Sequence, residues 1–328
     1  MPEKIRIGVC GYGNLGRGVE TEIPKNPDME LAAVFTRRDP EGPFRIDKSV
    51  PVVRAGDAAG WKGKIDVMIL CGGSAKDLPG QGPEFAEMFN TVDSFDTHAK
   101  AFDYYISMDG AAKRGNNVAV ISSGWDPGLF SLMRMYMGAI VPDGKSYSFW
   151  GKGVSQGHSG AIRGIDGVAG AVQYSIPNES AMERIRNGET PELTAREKHE
   201  RLCYVALKDG ADAGTIEKQI KEMPDYFSDY DTTVHFISLS ELNEKHGRLP
   251  HGGNVIHAGK TGDANRQSME LSLKLDSNPE FTSSILIASA RAAYRLFKNG
   301  ETGAKTVFEI PPIMFSTASL EGAIRTLL

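Results

Sequence analysis

Three glycines with the spacing G-x-G-x-x-G, Gly11, Gly13 and Gly16, are the first residues of this chain that could do chemistry. They follow directly on an apolar run with β-branched residues, 5–10. In this spacing the first glycine permits a tight turn, the second lets the backbone approach a pyrophosphate, and the third lets the next helix sit close to its strand. The segment predicts a dinucleotide-binding turn with the N–H groups of a helix N-terminus facing the anion.

A pair of arginines occupies the position that determines cofactor preference in a dinucleotide-binding βαβ unit. A second predicted strand, residues 30–36, ends in Thr36-Arg37-Arg38. An enzyme that uses NAD usually has Asp or Glu there to bind the ribose hydroxyls, whereas guanidinium groups suit a 2′-phosphate. The alternative is a solvated turn. The order of strand, glycines, helix and second strand within about 30 residues favours a dinucleotide site. The two arginines predict that its cofactor is NADP(H).

Two carboxylates, Asp96 and Asp126, follow predicted strands and are the first candidates for work on a substrate. A carboxylate beside a nicotinamide can hold a substrate ammonium, accept its proton or activate water. The alternative is loop capping, which is common for Asp after a strand. Trp125 is interpreted as a pocket wall, with a core position as the alternative.

The second half of the chain contains further polar candidates. The glycine-rich segment 149–159 either cradles a ligand with its backbone or is an ordinary crossover, and His158 within it is more often structural. Arg201 opens an apolar strand and suits a carboxylate clamp; as a surface ion pair it would contribute under about 1 kcal/mol. His251 stands in the glycine-rich turn 249–254. No metal-ligand spacing is present, so no metal is predicted.

The predicted secondary structure that positions these residues differs between the two halves of the chain. Through the first 125 residues, strand and helix signals alternate, which predicts a Rossmann-type doubly wound parallel sheet. Beyond β-strand 30–36, the predicted strands are 50–54, 65–71, 91–93 and 118–122, and the predicted helices are 82–90 and 100–114. Ligands of such sheets bind at the carboxyl ends of the strands, so loops 72–74, 94–96 and 123–128 should line the cofactor and the reaction site.

The second half predicts an α+β substrate and dimerisation domain with a mostly antiparallel sheet. Its predicted strands are 147–150, 170–176, 202–207 and 232–237, with a hairpin of 255–258 and 267–275, followed by a long helix over 282–299. The expected domains are therefore 1–125 for dinucleotide binding, completed by about 282–328, and 126–281 for substrate binding and dimerisation.

Composition narrows the class of protein. The 328 residues favour two domains, and 40% apolar and 24% charged residues are typical of a soluble globular protein. A net charge of −5 with scattered basic residues argues against a nucleic-acid partner. No apolar run approaches the ~20 residues of a membrane span, and no signal peptide is recognised. Three separated cysteines give no disulfide framework, which favours a reducing cytoplasm.

Several strings resemble the meso-diaminopimelate dehydrogenase family, in order along essentially the whole chain: Gly-Tyr-Gly-Asn-Leu-Gly-Arg, Phe-Thr-Arg-Arg, Thr-Val-Asp-Ser-Phe-Asp, Gly-Trp-Asp-Pro-Gly-Leu-Phe-Ser, Phe-Trp-Gly-x-Gly-x-Ser-Gln-Gly-His-Ser, Met-Pro-Asp-Tyr-Phe and Pro-His-Gly-Gly. The resemblance implies NADP-dependent oxidative deamination at the D-centre of meso-2,6-diaminopimelate, giving L-2-amino-6-oxopimelate and ammonia. It also implies reductive amination in lysine biosynthesis, and a cytoplasmic homodimer.

Residue roles follow from the same resemblance. It implies that Asp96 and Asp126 are the carboxylates at the reacting amino group. Trp150, Gln156 and Gly157 are implied at the same end of the substrate, with Trp125 as a neighbouring wall, and Ser175, Arg201, His251 and Asn278 are implied to grip the distal L-centre. The implied cofactor contacts are Gly11, Tyr12, Gly13, Asn14, Leu15, Thr36, Arg37, Arg38, Cys71, Gly72, Gly73, Ser74, Ser94, Phe95 and Asp96.

Two positions depart from the family's usual pattern. Ser175 replaces Thr and keeps the hydroxyl, so a carboxylate contact survives. Gly160 replaces Asp, which removes a carboxylate and leaves open a broader activity on D-amino acids. A third alternative is a non-catalytic NADP(H) sensor. A sensor would need no polar pocket in its second domain, yet Gln156, Arg201, His251 and Asn278 are all present.

Overall fold

The computed structural model describes residues 3–44, 46–47 and 49–328. The strands are β1 (Ile5–Cys10), β2 (Met29–Thr36), β3 (Val52–Arg54), β4 (Val67–Leu70), β5 (Asn90–Asp93), β6 (Val118–Val120), β7 (Gly144–Trp150), β8 (Gly153–Val154), β9 (Val168–Pro177), β10 (His199–Leu207), β11 (Asp231–Phe236), β12 (His251–Thr261), β13 (Asn265–Leu275) and β14 (Gly303–Lys305). The helices are α1 (Asn14–Glu22), α2 (Leu78–Ala86), α3 (Ala101–Gly115), α4 (Leu129–Ile140), α5 (Gln156–Arg163), α6 (Glu179–Arg186), α7 (Ala195–Lys198), α8 (Ala213–Lys221), α9 (Leu239–His246), α10 (Asn278–Lys298) and α11 (Leu320–Leu327).

These elements form two compact units. The first comprises the chain up to Leu132 together with Pro279–Leu328, and the second is Met133–Asn278. The second unit is therefore inserted into the sequence of the first. In the described part of the chain, no helix is long and apolar enough to cross a membrane.

A parallel sheet with the strand order β14-β6-β5-β4-β1-β2-β3 forms the centre of the first unit. The four residues of β4 are all buried and point alternately to two apolar layers: Val67 and Ile69 to one, Met68 and Leu70 to the other. Helix α10 covers the first layer, and α2 and α3 cover the second. Burial on both faces explains why β4 is continuously apolar, and it confirms the predicted doubly wound fold.

A buried arginine ties α10 to the start of β2. The Arg291 side chain is only 3% exposed and donates to both carboxylate oxygens of Asp28, to Asn26 Oδ1 and to the carbonyl of Phe315. The Arg291 guanidinium lowers the pKa of Asp28 below its usual value. These hydrogen bonds satisfy charges that would otherwise be costly to bury.

The second unit contains two sheets, with the orders β11-β10-β9-β8 and β13-β12-β7. The prediction of mostly antiparallel pairing is confirmed, whereas the prediction of a single sheet is wrong. The strands divide between two sheets, and β10 pairs with β11 in parallel, while the other pairs are antiparallel. The parallel pair arises because α8 lies between β10 and β11 in sequence, and a helical crossover returns the chain in the same direction.

Some predicted elements were wrong in their bounds or missing. The helix expected at 82–90 is α2, which starts earlier because a proline is tolerated in its first turn, and Asn90 already belongs to β5. Pro279 likewise stands in the first turn of α10, so this helix begins at Asn278 and not near 282. Helix α4, rich in Leu and Met, was not predicted.

The segment 149–159 is not a simple loop. It contains the end of β7, the short strand β8 and the first turn of α5. The Ser155 side chain caps α5 by accepting from the backbone N–H of His158. Gln156 and Gly157 are consequently held on a helix, which fixes their backbone more firmly than a loop would.

Candidate active site

The glycine turn has the geometry that the sequence predicts. Gly11 has a φ of +99°, which residues with a side chain rarely adopt. A Cβ on Gly16 would lie 2.1 Å from the carbonyl oxygen of Gly11, so α1 can sit this close only with glycine there. A Cβ on Gly13 would have no atom of the described residues within 4 Å, so the backbone at Gly13 is open to a ligand. The turn therefore fits a pyrophosphate at the start of α1.

The two arginines after β2 differ in their surroundings. The Arg37 side chain is 73% exposed, and its Nη1 lies 2.8 Å from Asp77 Oδ1. Arg38 is held more firmly, since Nη2 donates to the carbonyl of Tyr12 at 2.8 Å and its guanidinium lies 4.7 Å from the centre of the Phe44 ring. Thr36 Oγ1 accepts from the backbone N–H of Arg38. These residues fit a phosphate beside the glycine turn, and the exposed Arg37 reaches it by exchanging Asp77 for the phosphate.

The loops after β4 and β5 are joined by a hydrogen bond. Ser74 Oγ accepts from the backbone N–H of Asp96 at 3.1 Å, and Asp77 accepts from the backbone N–H of Gly73 at 2.8 Å. Asp96 is exposed, whereas Phe95 is buried and stacks on Tyr104. The Asp96 carboxylate therefore stands on a backbone that is fixed from two sides.

Asp93, the last residue of β5, holds the segments that lead to both candidate carboxylates. Its Oδ1 accepts from the backbone N–H groups of Phe95 and Ser122 at 2.9 and 3.1 Å, and its Oδ2 accepts from the Tyr104 hydroxyl at 2.8 Å. Burial raises the pKa of Asp93 to about 6, although these hydrogen bonds oppose the shift. No local pattern predicts this role, because the partners of Asp93 Oδ1 and Oδ2 lie in other segments of the chain.

Trp125 and Asp126 follow β6 in the same unit. Trp125 is buried at 8% exposure and packs edge-to-face on Phe130, with 5.3 Å between ring centres. Asp126 is half-buried. Trp125 is thus largely a core residue, as the alternative interpretation allowed, and it fixes the backbone that carries Asp126.

In the second unit, Trp150 is held by a histidine that sequence reasoning did not single out. The backbone N–H of Trp150 donates to His199 Nε2 at 2.8 Å, and the two rings stack with their centres 5.3 Å apart. Burial, together with the charges of Arg201 and Lys198, lowers the pKa of His199 to about 3. His199 is therefore neutral at pH 7 and accepts through Nε2.

Arg201 is a buried cation. The residue is 6% exposed, its Nη1 donates to Ser175 Oγ, and its guanidinium carbon lies 3.8 Å from the centre of the Tyr230 ring. Burial lowers the pKa of Arg201 from its ordinary value. No Asp or Glu of the described residues forms an ion pair with it, and its Nε is buried without a hydrogen-bond partner there. The surface ion pair considered above is therefore wrong.

The remaining candidates lie close to the same strands. The Cβ of a residue at Gly151, next to Trp150, would lie 2.1 Å from the carbonyl oxygen of Ser175, so β7 ends against β9. His251 Nδ1 accepts from the backbone N–H of Gly252 at 2.8 Å, and burial lowers the pKa of His251. The backbone N–H of Asn278 donates to the carbonyl of Leu249.

His158 faces this region from α5. Its Nδ1 lies 2.8 Å from Ser155 Oγ, and its ring packs edge-on against Phe227. Burial, reinforced by the Arg201 charge, lowers the pKa of His158 to about 4. His158 is a neutral residue that packs α5, which agrees with its structural interpretation. Within residues 3–44, 46–47 and 49–328, no group of three or more His, Cys, Asp or Glu is placed to hold a metal ion.

The parallel sheet and the glycine turn define the class of the protein, a Rossmann-type dinucleotide-binding protein. Residues 124–277 match the family model described as diaminopimelic acid dehydrogenase C-terminal domain. The meso-diaminopimelate D-dehydrogenase of Ureibacillus thermosphaericus is 58% identical over 325 residues, which cover 99% of this chain and 99% of that protein. The chain belongs to the meso-diaminopimelate D-dehydrogenase family, which confirms the resemblance seen in its motifs.

Solved structures agree with this family and fold. A mutant meso-diaminopimelate dehydrogenase from Clostridium tetani, determined with DAP, has a TM-score of 0.94 and 50% identity, and the match covers 99% of this chain and 100% of that one. An engineered D-amino acid dehydrogenase bound to NADP+ has a TM-score of 0.87 and 43% identity, covering 99% of this chain and 100% of that one. Membership of a family of amino acid dehydrogenases makes the chain an enzyme and disfavours a non-catalytic sensor.

Substituting two glycines of the turn separately tests whether it binds the cofactor. Gly13→Ala should fold normally, because its Cβ meets none of the described atoms within 4 Å. It should raise the KM for the dinucleotide about tenfold or more by blocking the pyrophosphate. Gly16→Ala should instead destabilise the protein by about 1–3 kcal/mol through its clash with Gly11. Urea unfolding and steady-state kinetics measure the two effects; a normal KM for Gly13→Ala would contradict the assignment.

The pH dependence of stability tests the buried Asp93. An unfolded Asp has a pKa of about 3.9, so between about pH 4 and about pH 6 the folded protein holds a proton that the unfolded chain has lost. Stability contributed by Asp93 therefore falls as the pH rises through this window. Relative to wild type, the unfolding free energy of Asp93→Asn should rise from pH 4 to pH 6 and then level off.

Asp28→Asn is the matched control for that experiment, because Arg291 lowers the pKa of Asp28. The contribution of Asp28 is present above about pH 4 and is lost as the pH falls. The deficit of Asp28→Asn should therefore shrink toward low pH, in a window below that of Asp93. A difference between Asp93→Asn and wild type that does not change between pH 4 and pH 6 would disprove the raised pKa.

Proposed function

We propose that this protein oxidises the D-configured amino centre of meso-2,6-diaminopimelate with NADP+. Substrate, NADP+ and water give L-2-amino-6-oxopimelate, ammonia, NADPH and a proton, and the reverse reaction is a reductive amination that serves lysine biosynthesis. The activity named for the Ureibacillus thermosphaericus relative and the DAP in the Clostridium tetani structure support this substrate.

The observation that carries the proposal is the buried, uncompensated charge of Arg201. A guanidinium that is 6% exposed and has no carboxylate partner in the described residues is unfavourable unless an anion completes it. A substrate with a second carboxylate, remote from the reacting centre, supplies that anion. Diaminopimelate has such a carboxylate, whereas a simple D-amino acid has not. Ser175, His251 and Asn278 are assigned to the same distal end.

The cofactor is assigned to the first unit. The turn Gly11–Leu15 takes the pyrophosphate, and Thr36, Arg37 and Arg38 take the 2′-phosphate, which makes NADP(H) the expected form. Further contacts are assigned to Cys71, Gly72, Gly73, Ser74, Ser94 and Phe95. When bound, the nicotinamide accepts the hydride. The engineered D-amino acid dehydrogenase bound to NADP+ supports this choice.

Residues of the chain remove the proton of the substrate ammonium and orient the substrate. One of Asp96 and Asp126 binds the substrate ammonium and takes a proton from it, because only a neutral amine can release the hydride from its carbon. Water then adds to the resulting imine, and ammonia leaves. Trp150, Gln156 and Gly157, with Trp125 behind Asp126, are assigned to the walls at this end. Holding the distal carboxylate aligns the C–H bond, which can lower the barrier by several kcal/mol.

Gly160 favours a second candidate, a dehydrogenase with a broader range of D-amino acids. Among the described atoms, a Cβ at Gly160 would meet only Arg163 Nη2, at 3.7 Å, so the position has room for a side chain. The missing carboxylate removes one charge requirement on the substrate. Activity on D-lysine and D-leucine alongside meso-diaminopimelate measures this breadth.

The assembly and its setting are part of the proposal. We expect residues 1–125 with about 282–328 to bind the dinucleotide, and residues 126–281 to bind the substrate and to pair two subunits. A cytoplasmic homodimer follows from the family resemblance. Size-exclusion chromatography with light scattering gives the number of subunits.

Arg37→Ala tests the cofactor assignment. Losing a charge-assisted hydrogen bond to the 2′-phosphate should raise the KM for NADP+ by about 10- to 100-fold and leave that for NAD+ within about twofold. Arg114→Ala is the control, because Arg114 is also exposed and pairs with a carboxylate, Glu87, but stands at the end of α3 next to the amino end of β6, away from the carboxyl ends of the strands. Steady-state kinetics with both cofactors decides; an unchanged preference for NADP+ would refute the assignment.

Arg201→Met tests the distal grip. Removing the charge should lower kcat/KM for meso-diaminopimelate by about 100-fold or more, because a buried ionic contact is lost. The value for D-norleucine, which has no distal carboxylate, should change little. Arg196→Met is the matched control, since Arg196 is exposed and pairs with the exposed Asp231. Equal losses on both substrates would show that Arg201 does not orient the substrate.

A further inference from the structure

A row of polar residues crosses three strands of the second unit on one face. Ser175 of β9 pairs with Arg201 of β10, and Arg201 pairs with Thr232 of β11. Gln173 lies two residues before Ser175 on the same strand and therefore points to the same side of the sheet. We call Gln173, Ser175, Arg201 and Thr232 the polar row.

Most of the polar atoms of this row have no partner. Both side-chain atoms of Gln173, the Nε of Arg201 and the Oγ1 of Thr232 are buried and make no hydrogen bond in the described residues. Gln173 is 0% exposed and Arg201 is 6% exposed. Buried polar groups are nearly always paired in folded proteins, so a cluster of unpaired ones calls for an explanation.

The neighbouring residues do not explain why these polar atoms are buried. On the same face, the next residues along β10 are Cys203 and Val205, which belong to an apolar cluster with Phe227 of the segment after α8. An apolar core has no structural need for an amide and a hydroxyl. The polar row therefore points to a ligand that replaces the missing partners.

The unpaired atoms specify the chemistry of that ligand. Arg201 Nε, Gln173 Nε2 and the Thr232 hydroxyl are donors, which together suit a carboxylate. Gln173 Oε1 is an acceptor and suits an ammonium group. A carboxylate with an adjacent ammonium is an α-amino acid group. Gln173 has three rotatable side-chain bonds, so its amide can turn toward a group bound at Arg201.

We infer that Gln173 and Thr232 are specificity-determining residues that bind the amino acid group of the substrate remote from the reacting centre. The inference rests on the proposed function, because it needs a substrate with a second amino acid group. Gln173 and Thr232 thereby join the residues assigned to the distal end of the substrate. Thr232 Oγ1 and Gln173 Nε2 donate to the distal carboxylate, and Gln173 Oε1 accepts from the distal ammonium.

Gln173→Met, which keeps the length of the side chain, and Thr232→Val test this inference. Each should raise the KM for meso-diaminopimelate about tenfold with kcat nearly unchanged, and leave the KM for D-norleucine within twofold. Each should also leave the melting temperature of the free protein unchanged or higher, because it removes unpaired buried polar atoms. Thr91→Val is the matched control: Thr91 Oγ1 is likewise buried and unpaired, but it lies in β5 of the first unit, and its loss should change neither KM.

The outcomes separate this inference from the proposed function. If wild type oxidises meso-diaminopimelate but both variants keep its KM within twofold, the inference is wrong and the proposed function stands. A lower melting temperature with equal losses on both substrates would make the two residues merely structural. If wild type does not oxidise meso-diaminopimelate, the proposed function fails and the inference fails with it.

Discussion

The buried carboxylate of Asp93 is the interaction on which the carboxyl edge of the parallel sheet depends. One oxygen accepts from the backbone on the way to Asp96 and from the backbone on the way to Asp126. Two loops that are far apart in sequence thereby share a single acceptor, so neither can move alone without breaking a buried hydrogen bond. The Tyr104 hydroxyl takes the other oxygen and anchors the pair to α3. Such a shared acceptor fixes the backbones that carry the exposed Asp96 and the half-buried Asp126, and it leaves both of their carboxylates available.

Two buried arginines differ in how completely the protein satisfies their charge. Arg291 has Asp28, Asn26 and a backbone carbonyl as partners, and it fastens two parts of the first unit together. Arg201 is almost as buried, yet it contacts a serine hydroxyl and the Tyr230 ring, and its Nε has no hydrogen-bond partner in the described part of the chain. Satisfaction of the charge, more than its burial, distinguishes the two. A residue that remains unsatisfied inside a well-packed unit is the better indicator of a ligand.

The sequence was sufficient wherever a local rule determined the structure. The G-x-G-x-x-G spacing, the alternation of strands and helices and the apolar run of β4 predicted the first unit correctly, because each depends on neighbours along the chain. Helix boundaries failed at Pro79 and Pro279, since proline suits the first turn of a helix as well as a break. The crossover through α8 was missed because strand direction depends on where the chain returns. Asp93 and His199 could not be recognised, because their roles consist of contacts with residues distant in sequence.

The first unit is built from two segments that are separated in sequence, so it cannot fold completely until synthesis of the chain is nearly finished. Strands β1 to β6 leave the ribosome early, but α10, whose Leu286, Ile287 and Ala290 cover one face of their sheet, is made only after the whole of Met133–Asn278. At roughly 5–20 residues per second, that delay amounts to roughly 7–30 s. The inserted unit, being continuous, can become native during this interval, while the earlier strands wait with an uncovered apolar face. The part of the protein that is synthesised first is thus the part that completes its folding last. We expect a chaperone to bind the nascent chain at the sheet face that α10 later covers.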